Sequence, residues 1–75
     1  MATNDQIVKL GKKLLELRLK NEMTQLDVCI KMNIDPTALR RYEKGKVEMG
    51  FTTLIKFAEI FKISIDELLD FTIKS

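Results

Sequence analysis

The chain has no histidine, no tryptophan, one cysteine and one proline among its 75 residues. Each shortage excludes something. A single thiol, Cys29, cannot form an intramolecular disulfide, so the fold has to be held by packing. Without imidazole, a zinc site has almost no ligands to draw on, and no metal or other cofactor is expected. With no clustered carboxylates either, there is no nucleophile–base pair from which a catalytic site could be assembled, so the chain reads as a binding protein and not an enzyme. No apolar run approaches membrane-spanning length, and the opening Met1-Ala2-Thr3-Asn4-Asp5 lacks the basic-then-apolar order of a signal sequence. A cytoplasmic location, with no membrane partner and no small-molecule ligand, is expected.

What is present is a helix former's composition. Hydrophobic residues make up 45% of the chain, enough for one compact core, and the length suits one domain spanning residues 1–75. The net charge is only +2, but its distribution is uneven. Residues 1–46 hold ten Lys/Arg against six Asp/Glu, a balance of +4; residues 47–75 hold three against five, a balance of −2. One part therefore suits a polyanion, and the other is left for a different task.

Five helical segments follow from periodicity and caps, with no strand run and no internal repeat. Ile7, Leu10, Leu14 and Leu17 form the apolar face of the first, capped by Asn4 or Asp5 and ended at Asn21-Glu22. Gly11 inside it costs roughly 1 kcal/mol relative to Ala, which a closely passing backbone would explain. The second begins at Thr24, where Thr24 and Asp27 make a capping box, buries Val28, Cys29 and Met32, and stops at Asn33. The third has Asp35 as N-cap, Pro36 at its first position and Gly45 just past its end, with Leu39 and Tyr42 turned inward. The fourth runs from about Phe51 to Phe61 with Phe51, Leu54, Ala58 and Phe61 on one stripe. The fifth starts at Ser64, with Glu67 as its capping-box partner, and buries Ile65, Leu68 and Leu69.

The second and third segments, joined by Asn33-Ile34-Asp35, have helix-turn-helix spacing. Many helical bundles contain such a pair; surface chemistry makes this one more specific. Thr37, Arg40, Arg41 and Lys44 project from a helix whose other side is Leu39 and Tyr42. A short helix carrying such donors fits the major groove, where Arg can give two hydrogen bonds to guanine O6 and N7. Gln25 at the head of the second helix, beside unpaired backbone N–H groups, suits a phosphate, as do Lys44 and Lys46 after the third. The same residues would also serve as a solvated, salt-bridged face.

These residues carry a family resemblance. Thr24-Gln25, Val28-Cys29, Met32-Asn33-Ile34 and Tyr42-Glu43-Lys44-Gly45-Lys46 resemble the Cro/C1-type helix-turn-helix domain of phage repressors, the xenobiotic-response-element family. Leu54-Ile55-Lys56-Phe57-Ala58 and Ile63-Ser64-Ile65-Asp66-Glu67-Leu68-Leu69 are similar to its downstream helices, and Gly11 and Arg18 stand where its first helix commonly has Gly and Arg. The match runs over about residues 7–70, leaving 71–75 as a tail. The resemblance implies an all-α, five-helix, lambda-repressor-like domain whose second and third helices read double-stranded DNA. It implies that Pro36, Thr37, Ala38, Arg40 and Arg41 face bases, that Thr24, Gln25, Lys44 and Lys46 face phosphates, and that Arg18 and Glu43 form a structural ion pair. Three departures stand out. Pro36 has no donor where relatives carry Gln or Arg, which shifts readout to Thr37 and the arginines, with Ala38 available for a thymine methyl. Asn33 replaces the turn Gly, and Met49-Gly50 replaces Pro-Ser before the fourth helix, weakening its cap.

Two further features need placing. Cys29 should be a small buried hydrophobe and Leu26 an exposed one. Phe61, Ile63, Ile65, Leu69, Phe71 and Ile73 are more apolar residues than one short helix hides, so a homodimer interface is expected there. A two-fold dimer would place two recognition helices about 34 Å apart and read a palindromic operator, as a repressor does. An antitoxin, or another protein-interaction module on the same fold, is the alternative.

Overall fold

The computed structural model describes residues 4–70. Five helices follow one another with short connections: α1 (Asn4–Lys20), α2 (Gln25–Met32), α3 (Pro36–Glu43), α4 (Phe51–Phe61) and α5 (Ile65–Leu68), and no strand occurs among the described residues. The sequence reading of an all-α chain of five helices agrees with it. α1 packs on α3, α4 and α5, α2 packs on α3 and α4, and α4 packs on α5. The core is drawn from all of them: Leu10 and Leu14 of α1, Val28, Cys29 and Met32 of α2, Leu39 of α3, Phe57, Ala58 and Phe61 of α4, and Leu68 of α5. Phe57 lies at its centre, fully buried, with the Tyr42 ring edge-on and the Phe61 ring stacked, each 6.1 Å away.

Helix ends follow local chemistry. The Thr24 hydroxyl accepts from Asp27 N–H at 3.0 Å while the Asp27 carboxylate accepts from Thr24 N–H at 2.8 Å, completing the capping box of α2. Asn33 takes φ 58° at the other end, and the next N–H, that of Ile34, returns to Cys29 C=O at 3.1 Å. Asn tolerates this left-handed geometry, so the turn survives without glycine. At the end of α3, by contrast, glycine is required twice over. Gly45 sits at φ +68°, and a Cβ there would come within 2.6 Å of Val8 Cα.

The structure corrects four details of the sequence reading. Asp35 has N-cap backbone geometry, but its side chain makes no capping bond. Of the second box only the hydroxyl half is formed, Ser64 Oγ accepting from Glu67 N–H at 3.0 Å. Phe51 is 68% exposed, because it lies in the first turn of α4 beyond the reach of the core, and the loop residue Met49 is buried instead. Leu69 caps α5 and is exposed, so Leu68 alone of that helix is fully buried and Ile65 is partly so. Cys29 is buried, as read, and burial pushes its thiol pKa up, away from a reactive thiolate. No helix among the described residues is long and apolar enough to cross a membrane.

Candidate nucleic-acid interface

α3 is short and strongly two-sided. Its Leu39 is buried and its Tyr42 packs against the core, while Pro36, Thr37, Arg40 and Arg41 are exposed. Eight residues cannot hold a helix in place on their own, so tertiary contacts must do it. α1 supplies them. A Cβ on Gly11 would stand 2.5 Å from Tyr42 O and 2.7 Å from Glu43 O, so the missing side chain is what lets α1 lie against the last turn of α3. The closely passing backbone inferred from Gly11 is therefore the C-terminal end of this helix.

Electrostatics fasten the same corner. Arg18 Nε donates to Glu43 Oε2 at 2.7 Å, and its Nη1 donates to Met23 C=O at 3.1 Å, joining α1, the α1–α2 loop and α3. The two side chains are 12% and 7% exposed, so the charges are desolvated and each depends on the other. Arg18 Nη2 reaches the other carboxylate oxygen, Oε1, at 3.4 Å, and Gln25 Nε2 adds a third donor, at 3.1 Å from the same Oε1. Gln25 thus ties the first residue of α2 to the last residue of α3.

Solvent meets the opposite side of α3. Thr37, Arg40, Arg41, Lys44, Lys46 and Val47 line an open groove of about 450 Å³. Four of these six are cations, and none is an acid. Arg40 Nη2 lies 3.5 Å from Thr37 Oγ1, one turn away, at the limit of a hydrogen bond. The groove brings together Thr37, Arg40, Arg41, Lys44 and Lys46, all singled out in the sequence. Val47 was not singled out; it follows Lys46 directly in the α3–α4 connection and is partly buried.

The other sequence-predicted residues sit differently. Ala38 is half-buried and borders a depression toward α2, lined also by Leu26, Ile30 and Pro36. Thr24 is committed to the cap, its oxygen accepting from Asp27 N–H and its hydroxyl bonded to the Asp27 carboxylate. Among the expected dimer residues, Phe61 is 4% exposed and belongs to the chain's own core, stacked on Phe57, so it cannot face a partner. Ile63 and Ile65 pack partly on that core, Leu69 is exposed, and Phe71 and Ile73 lie outside the described residues. Leu26 is exposed as read, and so is Ile30 one turn on, which the sequence reading passed over.

A two-helix unit, rigidly docked, with a cation-lined outer face defines a helix-turn-helix domain. Comparison with known proteins agrees. The Helix-turn-helix family model matches residues 14–68, and the chain belongs to that family, in its Cro/C1-type form. The HTH-type transcriptional regulator ImmR of Bacillus subtilis (strain 168) is 36% identical over 62 residues, which are 83% of this chain and 49% of that protein. The chain thus spans about half the length of this relative. Among solved structures, the restriction-modification controller protein C.AhdI from Aeromonas hydrophila superposes with a TM-score of 0.80 at 25% identity, covering 85% of this chain and 97% of that one. The clp gene regulator ClgR from C. glutamicum has the same fold, with a TM-score of 0.80 at 20% identity over 85% of this chain and 83% of that one.

Proposed function

We propose that the chain is a sequence-specific DNA-binding transcriptional regulator, a repressor acting as a homodimer on a palindromic operator. The observation that carries this reading is the outer face of α3: a groove lined by Thr37, Arg40, Arg41, Lys44 and Lys46, with Asp35 and Glu48 only in the depression beside it, on a helix whose last turn is pinned to α1. The exposed arginines reach guanine edges in a major groove, and Lys44 and Lys46 neutralise phosphates at the margin. The relatives' names, a transcriptional regulator and a controller protein, support the same role. For the dimer, the support is the apolar margin of Ile63, Ile65 and Leu69.

The test is a titration into the DNA upstream of its own gene and into random duplex, at two salt concentrations. Tight binding to the first, well above random and weakened by salt, is the expected result. Weak, equal binding to both would move the function to a protein partner, for which the exposed Leu26 and Ile30 are the surface at hand.

A further inference from the structure

Asp35 heads α3 without serving it. An aspartate in this position ordinarily turns its carboxylate back onto the free N–H groups of the first turn. Here the backbone has N-cap geometry, but the side chain makes no capping bond. The residue is exposed and makes no hydrogen bond or ion pair among the described residues. Its surroundings are not neutral ground. It lines the depression beside the cation-lined groove, together with Thr37, Ala38 and Arg41 of α3 and Glu48 of the connection to α4. The acid therefore shares a surface with one of the arginines proposed to reach guanine edges.

An ionised carboxylate only accepts hydrogen bonds. Within a protein–DNA interface it repels phosphate, and the water it loses has to be replaced by a donor. The major groove holds two such donors, the amino groups of cytosine N4 and adenine N6. Adenine sets the N7 acceptor beside its amino group, and a carboxylate would meet that atom with repulsion. Cytosine presents the amino group alone. Arg41, in the same depression, has the opposite demand and suits guanine O6 and N7. Resting on the DNA-binding reading above, we propose that Asp35 is a specificity-determining residue whose carboxylate accepts from the N4 amino group of one cytosine, beside the guanine that Arg41 takes. A carboxylate and a guanidinium in one depression match the donor and acceptor edges of G·C pairs. The same contact accounts for an acid among the cations, because it penalises every site in which the cytosine is missing.

The test is selection of bound duplexes from a random-sequence library by the wild type, Asp35→Ala and Glu48→Ala. The wild type should enrich a site with one cytosine that Asp35→Ala no longer distinguishes, the rest of the site being kept. On that site Asp35→Ala should bind about tenfold more weakly, one charge-assisted hydrogen bond having been lost. On mixed-sequence duplex it should bind no more weakly than the wild type, since only repulsion is removed. N4-methylcytosine at the same position puts a methyl group where the groove-facing N–H was. It should cost the wild type a similar factor and Asp35→Ala nothing, and the wild-type arm does not depend on the folding of any variant. Glu48→Ala changes the charge of the same depression without touching the contact, so it should keep the cytosine preference. An unaltered preference in Asp35→Ala, an adenine at the affected position, or the same loss in Glu48→Ala would overturn the proposal and leave DNA binding standing. A wild type that enriches no sequence would overturn the sequence-specific reading and this proposal with it.

Discussion

Arg41 and Lys46 are both exposed cations on one groove, yet they should fail differently when removed. Arg41 stands in the last turn of α3, one turn on from Thr37, and in the proposed complex it grips one base edge with two donors, so Arg41→Ala should cost about 1–3 kcal/mol on the operator and relax specificity at one base pair. Lys46 lies past the end of α3 and in the proposed complex meets phosphate, so Lys46→Ala should weaken all duplexes alike and lower the salt slope by about one unit. Binding to single-base operator variants at several salt concentrations separates the two; equal losses for Arg41→Ala on operator and random DNA would remove its assigned role. Gly11 argues the reverse of its propensity. Alanine favours helix over glycine by about 1 kcal/mol, so Gly11→Ala should stabilise on local grounds. The added Cβ would instead meet Tyr42 O at 2.5 Å, and that carbonyl is already tied to Gly45 N–H at 3.1 Å. A net loss of about 1–3 kcal/mol, read as a lower denaturation midpoint at unchanged slope, is expected.

Individual helices were legible from their ends, and the limits of that legibility are physical. Residue type and spacing locate a cap, but whether its side chain turns back to bond the helix depends on a rotamer that sequence does not encode. Thr24 and Asp27 close both halves of their box, whereas Asp35 supplies only the backbone geometry that Pro36 demands after it. Thr24→Ala should therefore cost about 1 kcal/mol, and Asp35→Ala should stay within about 0.5 kcal/mol, in urea titrations. The box also carries a pH signature. The Thr24 backbone N–H, and after it the Thr24 hydroxyl bond, hold the Asp27 pKa below the ordinary aspartate value. The native state thus binds its proton later than the unfolded chain does. The contribution is complete above the ordinary aspartate pKa and disappears as the pH falls through the lowered one. Asp27→Asn should remove this part of the acid dependence, and stability measured across the acid range with an unchanged slope would contradict the assignment.

For the molecule as a whole, periodicity gave the number and order of helices, while the centre of the core had to come from packing. The stripe drawn through Phe51, Leu54, Ala58 and Phe61 misses Phe57, the residue that Tyr42 and Phe61 flank. Helical spacing defines a face only to within one residue on either side, and the partner helices decide which edge is covered. The cation-lined groove was legible because exposure of Arg and Lys needs no partner to establish it. The proposed interface between copies was harder to read, since an apolar residue near the end of a small domain serves either its own core or a neighbour's. Phe61 proves to serve its own. That leaves Leu69, 38% exposed just past α5, as the described residue on that margin best placed to meet a second copy. Substituting it disturbs little of the monomer, so Leu69→Glu should leave the melting profile of a monomer intact while turning a dimer into monomers in sedimentation. Because two linked half-sites bind far more tightly than one, the variant should also lose most of its affinity for a two-fold operator and little for a single half-site. A Leu69→Glu protein that sediments as wild type would move the contact elsewhere, and a wild-type protein that is monomeric on and off its operator would end the dimer reading.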